Sequence, residues 1–156
     1  MNCNPAGKAL IRHFESCELT PYEDAAGFWT CGIGHKILPT ESDLMHGTIT
    51  QDEAESLFLI DVAVAERAVA AMTSAALNEW QFSALTSWTF NLGARAYRGS
   101  TLRRLLNAGD YVGSANEIEK WVFAKQNGVP VRLPGLVTRR AAEAALFKTL
   151  PWLEGA

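Results

Sequence analysis

A glutamate, an aspartate and a threonine near the start of the chain are the side chains best suited to chemistry. Glu15 is followed nine residues later by Asp24 and six residues after that by Thr30, with Gly32-Ile33-Gly34-His35 just beyond. Two carboxyl groups in unlike surroundings can divide acid and base work. One keeps a proton to give to a leaving oxygen, and the other stabilises positive charge or activates water. That division suits hydrolysis of a glycosidic bond. Spacing alone is a weak signal, because residues 1–76 hold eleven Asp and Glu, and a solvated acidic face accounts for any one such pair. Thr30 taken singly reads as a β-branched strand residue. The Gly-x-Gly-His run is no nucleotide loop, since neither a third glycine nor a helix follows it. Its glycines suit a tight turn or a close backbone approach, and His35 by itself reads as a hydrogen-bonded structural residue.

These groups need elements to hold them. Asn4 and Pro5 form a helix start, and Leu10, Ile11, Phe14 and Cys17 fall on one face, predicting a helix that Thr20-Pro21 ends. Glu15 lies at the edge of that face, half shielded from water, where a bare charge is disfavoured. Residues 22–38 read as a small antiparallel sheet of two or three strands turning at Asp24–Gly27, and Pro39 to Gly47 as a polar loop. Thr50-Gln51-Asp52-Glu53 and Asn78-Glu79-Trp80-Gln81 are capping boxes. The first opens a helix over about 51–72, long enough to cross between two lobes. The second opens a helix to Gly93 that is apolar nearly all round, the centre of a helical bundle. Further helices are expected from Ser100-Thr101 to Asn107, from Asp110 to about Phe123, and from about Leu136 to Leu150, with a loop over 126–135.

Composition narrows the class. The 156 residues, 48% hydrophobic and 20% charged, suit one globular domain. No stretch is apolar enough to span a membrane. Pro5, Lys8 and Arg12 break up the N-terminus, so it does not read as a secretory signal, and the chain is expected to be made in the cytoplasm without an export route of its own. Cys3, Cys17 and Cys31 cannot all pair within one chain. On a single helix Cys3 and Cys17 stand roughly 21 Å apart, beyond disulfide reach, so buried or half-buried free thiols are expected. No CxxC spacing points to zinc. The formal charge of −3 divides unevenly: residues 1–76 carry four Lys and Arg against eleven acids, and residues 77–156 carry ten against six. The basic half suits an anionic polymer, or it attracts the acidic half. No Lys/Arg-rich run suggests nucleic acid.

The joint register of Glu15, Asp24, Thr30 and Gly32-Ile33-Gly34-His35, with Leu19, Tyr22 and Gly27 between them, closely resembles the phage lysozymes, glycoside hydrolase family 24, of the T-even and lambdoid type. The similarity continues through Phe90-Asn91-Leu92-Gly93, Ser100-Thr101-Leu102, Trp121, Gly135-Leu136, Arg139-Arg140 and Glu143, and so covers nearly the whole chain. Ser16 stands where the family commonly has glycine, and Cys31 where it has a branched aliphatic. The N-terminus lacks the membrane-anchoring signal of some relatives.

The resemblance implies an α+β, mostly helical, lysozyme-like fold in a single domain. A small N-terminal lobe (about 1–50) carries the β-hairpin, a linking helix spans about 51–72, and a helical C-terminal lobe runs over about 73–156. It also implies an endolysin that hydrolyses the β-1,4 bond between N-acetylmuramic acid and N-acetylglucosamine of peptidoglycan with inversion, without metal or cofactor. Glu15 would be the general acid, Asp24 the charge-stabilising carboxylate and Thr30 the water holder. Lys36, Phe90 and Thr101 sit at its sugar-contacting positions, and the chemistry of Asn91 and Trp29 suits the same task. Arg139-Arg140 would anchor the last helix near Glu15. The implied protein is a monomer that acts on the wall in the periplasm after release by a separate holin. A lytic transglycosylase, needing only the acid, and a non-catalytic wall-binding module are the competing readings.

Overall fold

The computed structural model describes residues 1–150; the last six residues assigned to the C-terminal lobe lie outside the described residues. Helix α1 (Pro5–Phe14) starts where the sequence places it, with the Asn4 side chain accepting from the Gly7 N–H at 2.9 Å. It stops earlier than expected. Glu15 is its C-cap, and Cys17–Glu23 form strand β1 rather than a last helical turn. Cys17 therefore does not share a helix with Cys3. All three thiols are free, Cys3 and Cys31 buried and Cys17 exposed rather than shielded.

Strand β1 pairs antiparallel with β2 (Trp29–Ile33), which pairs with the two-residue β3 (His35–Lys36). Tyr22, Thr30 and Lys36 face one another across the three strands, so their side chains share one face of the sheet. The polar segment that follows contains a 3-10 helix, Pro39–Met45. Helix α2 (Gln51–Met72) has the predicted bounds and a complete capping box: the Glu53 N–H donates to the Thr50 hydroxyl, and the Thr50 N–H to the Glu53 carboxylate. Helix α3 (Glu79–Leu92) opens on the second box and buries Phe82 through Thr89 without a break. It is the central helix, packed by α1, α2 and α7.

Helix α4 (Ala94–Gly99) was not anticipated; α5 (Thr101–Asn107) was, and α6 ends at Ile118 (Tyr111–Ile118), short of Phe123. The loop expected over 126–135 is largely a second hairpin, β4 (Phe123–Gln126) with β5 (Val129–Arg132), and α7 (Pro134–Phe147) closes the fold. Two apolar clusters result. One gathers Trp88, Leu85, Tyr97, Leu102, Leu106 and Phe147; the smaller joins Ile11, Ile33, Phe58 and Val62. Helix α2 feeds both, Phe58 and Val62 into the small cluster and Val69 into the large one, so it ties the sheet region to the bundle. The result is an α+β, mostly helical fold with no described helix long and apolar enough to cross a membrane.

Candidate active site

Glu15, Asp24 and Thr30 come together in one cleft of about 350 Å³, which Tyr22, Gly34, Lys36, Phe90 and Asn91 also line. Gly34, Lys36, Phe90 and Asn91 also border a second arm that runs on to Asp61 and Val64 of α2. The two hollows therefore adjoin along these shared residues.

Each of the three side chains is held by local chemistry. Glu15 caps α1 through its N–H, which donates to the Ile11 carbonyl at 3.0 Å. Its Oε1 accepts from Nη1 of Arg139 at 2.7 Å, and Arg139 is buried. Across the carboxylate lies Gly34, whose backbone is left-handed at φ +70° and approaches so closely that a Cβ there would stand 2.7 Å from Oε2 of Glu15. Only glycine allows both the conformation and the approach. Asp24 starts the turn between β1 and β2, and its Oδ1 accepts from the N–H groups of Ala26 and Phe28 at 2.9 and 2.8 Å. Aspartate favours such turns because its side chain satisfies backbone donors two residues on. Thr30 is buried, and its hydroxyl donates to the Phe28 carbonyl at 3.0 Å. The lone pairs of the Thr30 hydroxyl oxygen remain free to accept a hydrogen bond from a water. Burial, with the charges of Glu15 and Asp24 nearby, pushes the Tyr22 phenol above its ordinary value.

Behind Glu15 the charges alternate. Arg139 Nε donates to Glu143 Oε1 at 3.1 Å, the Ser87 hydroxyl donates to the same oxygen at 2.7 Å, and Arg140 bonds both Glu143 Oε2 and the Asn91 side-chain carbonyl. Glu143 and Arg140 are fully buried. Burial lowers the pKa of Arg140, and Glu143 opposes that shift. The Glu143 carboxylate lies between the two guanidinium groups and pairs with both, which lets ionic groups persist in an interior where an unpaired charge is very costly. Sequence reasoning expected Arg139-Arg140 to anchor the last helix near Glu15. Glu143, named there beside them, is the link, at i+4 from Arg139 and i+3 from Arg140; Ser87 was missed, because no local signal reveals a partner 56 residues away.

His35 stands beside the cleft as a structural clamp. It bonds Asp61 at 2.8 Å and Glu41 at 2.9 Å, and these partners outweigh desolvation to raise its pKa to about 9. It thereby fastens the sheet to α2 and to the 3-10 segment. The remaining expected contacts divide. Lys36 and Asn91 line the cleft, the ammonium of Lys36 sitting 4.6 Å from the centre of the Phe28 ring. Phe90 lines it with a half-buried ring packed 5.9 Å from that of Phe58. Trp29 is opposite Glu23, one residue out of register with the Thr30 row, and its exposed side chain is not among the cleft residues. Thr101 begins α5 and borders a separate depression with Arg98, Arg103 and Arg104.

Phe123, Ala124 and Gln126 of the second hairpin form a cleft wall that sequence reasoning did not assign. The signal was present: Asn127 and Gly128 both have positive φ, the pattern of a two-residue hairpin turn. Among the described residues no group of three or more His, Cys, Asp or Glu converges as a metal site.

Residues 12–143 match the phage lysozyme family. The chain is 38% identical to the endolysin of Acyrthosiphon pisum secondary endosymbiont phage 1 over 96% of its length and 99% of that protein. Its fold superposes on the endolysin from Escherichia coli O157:H7 phage FAHEc1 with TM-score 0.85 and 34% identity, covering 95% of this chain and 94% of the other. It also superposes on the muramidase domain of SpmX from Asticaccaulis excentricus with TM-score 0.84 and 31% identity, covering 96% of this chain and 99% of the other. With the cleft, the cross-sheet row and these matches in agreement, the chain belongs to the phage lysozyme family.

Proposed function

We propose that this lysozyme-type glycoside hydrolase is an endolysin that cleaves the β-1,4 bond between N-acetylmuramic acid and N-acetylglucosamine, with Glu15, Asp24 and Thr30 as its working groups. The observation that carries the reading is the convergence of all three in one cleft, with Glu15 bonded to a buried arginine. Glu15 gives its proton to the bridging oxygen as the bond from that oxygen to C1 breaks, and the carboxylate left behind pairs with Arg139. Asp24 stabilises the positive charge developing at C1. A water accepted by Thr30 on the opposite face of the sugar adds its oxygen to C1 and passes a proton to Asp24, inverting the anomeric centre. The net change is one water added across one glycosidic bond. Lys36, Phe90 and Asn91 contact the sugars.

The protein works as a monomer on the wall in the periplasm, after release through a separate holin. Mass spectrometry and proton NMR of a wall digest test the chemistry. Reducing muramic ends that carry one oxygen from labelled water and appear first as the α-anomer are expected. Anhydro-muramic ends would instead make it a lytic transglycosylase, and wall binding without release of fragments would make it a binding module.

A further inference from the structure

Four arginines, Arg95, Arg98, Arg103 and Arg104, fall within ten residues of α4 and α5. Among the described residues none of them forms an ion pair. Arg98, Arg103 and Arg104 surround a single depression of about 470 Å³, together with Thr101 and Asn107. Arg103 is fixed in advance: its Nε donates to the Arg98 carbonyl at 3.0 Å and its Nη1 to the Met72 carbonyl at 3.3 Å. Arg98 and Arg104 are exposed, as is the Thr101 side chain. The molecule thus keeps one hydrogen-bonded and two exposed guanidinium groups around a hollow outside the cleft that holds Glu15, with no ion pair to them among the described residues.

We infer that this depression docks the free carboxylates of the peptide stems that branch from peptidoglycan strands; the inference rests on the reading of the cleft as a peptidoglycan site. Guanidinium groups match carboxylates in paired, planar hydrogen bonds. The reach fits as well. Ala94 at the start of α4 borders the far arm of the cleft, and Gly99 at its end borders the depression. Six helical residues span roughly 9 Å, whereas an extended stem of four residues spans about 13 Å. A strand lying in the cleft, or its neighbour, can therefore set a stem carboxylate among these arginines.

The lining also argues against a bilayer as the partner, for it offers no large apolar side chain to bury among acyl chains. Net charge makes the site consequential. The chain carries −3, and its first 76 residues hold most of the acids, so an anionic wall repels much of the surface. The arginine face turns the molecule toward the wall.

The test is the double variant Arg98→Ser/Arg104→Ser, which removes two exposed side chains and leaves Arg103 and its carbonyl partners in place. Binding is read by sedimentation with intact sacculi at low and high salt, in a Glu15→Gln background so that nothing is digested. Weakening by about three- to tenfold at low salt, vanishing at high salt, is expected. In the active background KM on peptide-bearing sacculi should rise by a similar factor with kcat unchanged. On glycan strands stripped of peptide by an amidase, the variant should equal the parent.

Equal sedimentation of variant and parent overturns the inference, and so does an equal loss on stripped strands. Loss of binding to anionic phospholipid vesicles with sacculus binding intact would assign the face to a membrane instead. Failure of the parent to release fragments from any wall would sink the hydrolase reading, while the sedimentation arms still judge the docking site.

Discussion

Replacing Gly34 with alanine tests how Glu15, the proposed general acid, is held. The new methyl carbon would stand 2.7 Å from Glu15 Oε2 and 2.9 Å from its carboxyl carbon, on a backbone at φ +70°. Two costs separate. The left-handed conformation costs a non-glycine residue about 1–2 kcal/mol, or roughly 2–8 °C in Tm for a chain of this size. The steric cost falls on the carboxylate, which must move by close to 1 Å to restore ordinary contact. Glu15 is also tied to Arg139 at 2.7 Å, so moving it breaks or bends that bond. A displacement of that size at a reacting group costs on the order of 10²-fold in rate.

Gly109→Ala supplies the control, because Gly109 is equally left-handed at φ +86° but would meet nothing within 4 Å. Gly34→Ala should lose at least as much thermal stability as Gly109→Ala by calorimetry, and only Gly34→Ala should lose about 10²-fold in kcat/KM on purified sacculi. If Gly34→Ala keeps activity within twofold of Gly109→Ala, the claim that Gly34 is there to admit the acid is refuted.

Three further outcomes follow from the same structure. His35 has a folded pKa of about 9 against an ordinary 6.5. Its charged form therefore contributes about 3 kcal/mol that is fully present below pH 6.5 and fades as pH rises through 9; His35→Gln should remove that fall in urea-melt stability between pH 6.5 and 9. Glu143→Ala leaves Arg139 and Arg140 without their shared buried counter-charge and should cost about 3–5 kcal/mol in urea denaturation. Phe123 is exposed on the cleft wall, so Phe123→Ala should raise KM on sacculi about three- to tenfold, at unchanged Tm, through loss of aromatic contact with sugar.

What the sequence made legible follows from how local the governing chemistry is. The starts of α1, α2 and α3 are set by Asn4, Thr50 and Asn78, whose side chains bond N–H groups three residues on, and such caps read directly. The end of α1 did not, because Cys17 continues the apolar helical face. Pairing of Cys17 with Ile33 and Glu18 with Gly32 decides the matter, and that partner lies beyond any local window. Pro130 masked the second hairpin, since proline argues against a strand; here it sits at an edge opposite Lys125. Glu15, Asp24 and Thr30 were candidates from their register, and the fold brings them to one cleft, but the arginine behind Glu15 and the glycine in front of it are tertiary facts. Thr101 shows the converse. Its helix start was legible, yet the direction in which that helix presents it depends on α4, six residues that no periodic pattern announced.

The central claim is that Glu15 supplies the proton. Glu15→Gln keeps the shape and can still accept from Arg139, so its Tm should stay within a few degrees of the parent. Its kcat/KM on purified sacculi should fall by about 10²–10⁴-fold. A variant that clears walls within tenfold of the parent would contradict the mechanism, whatever the other residues do.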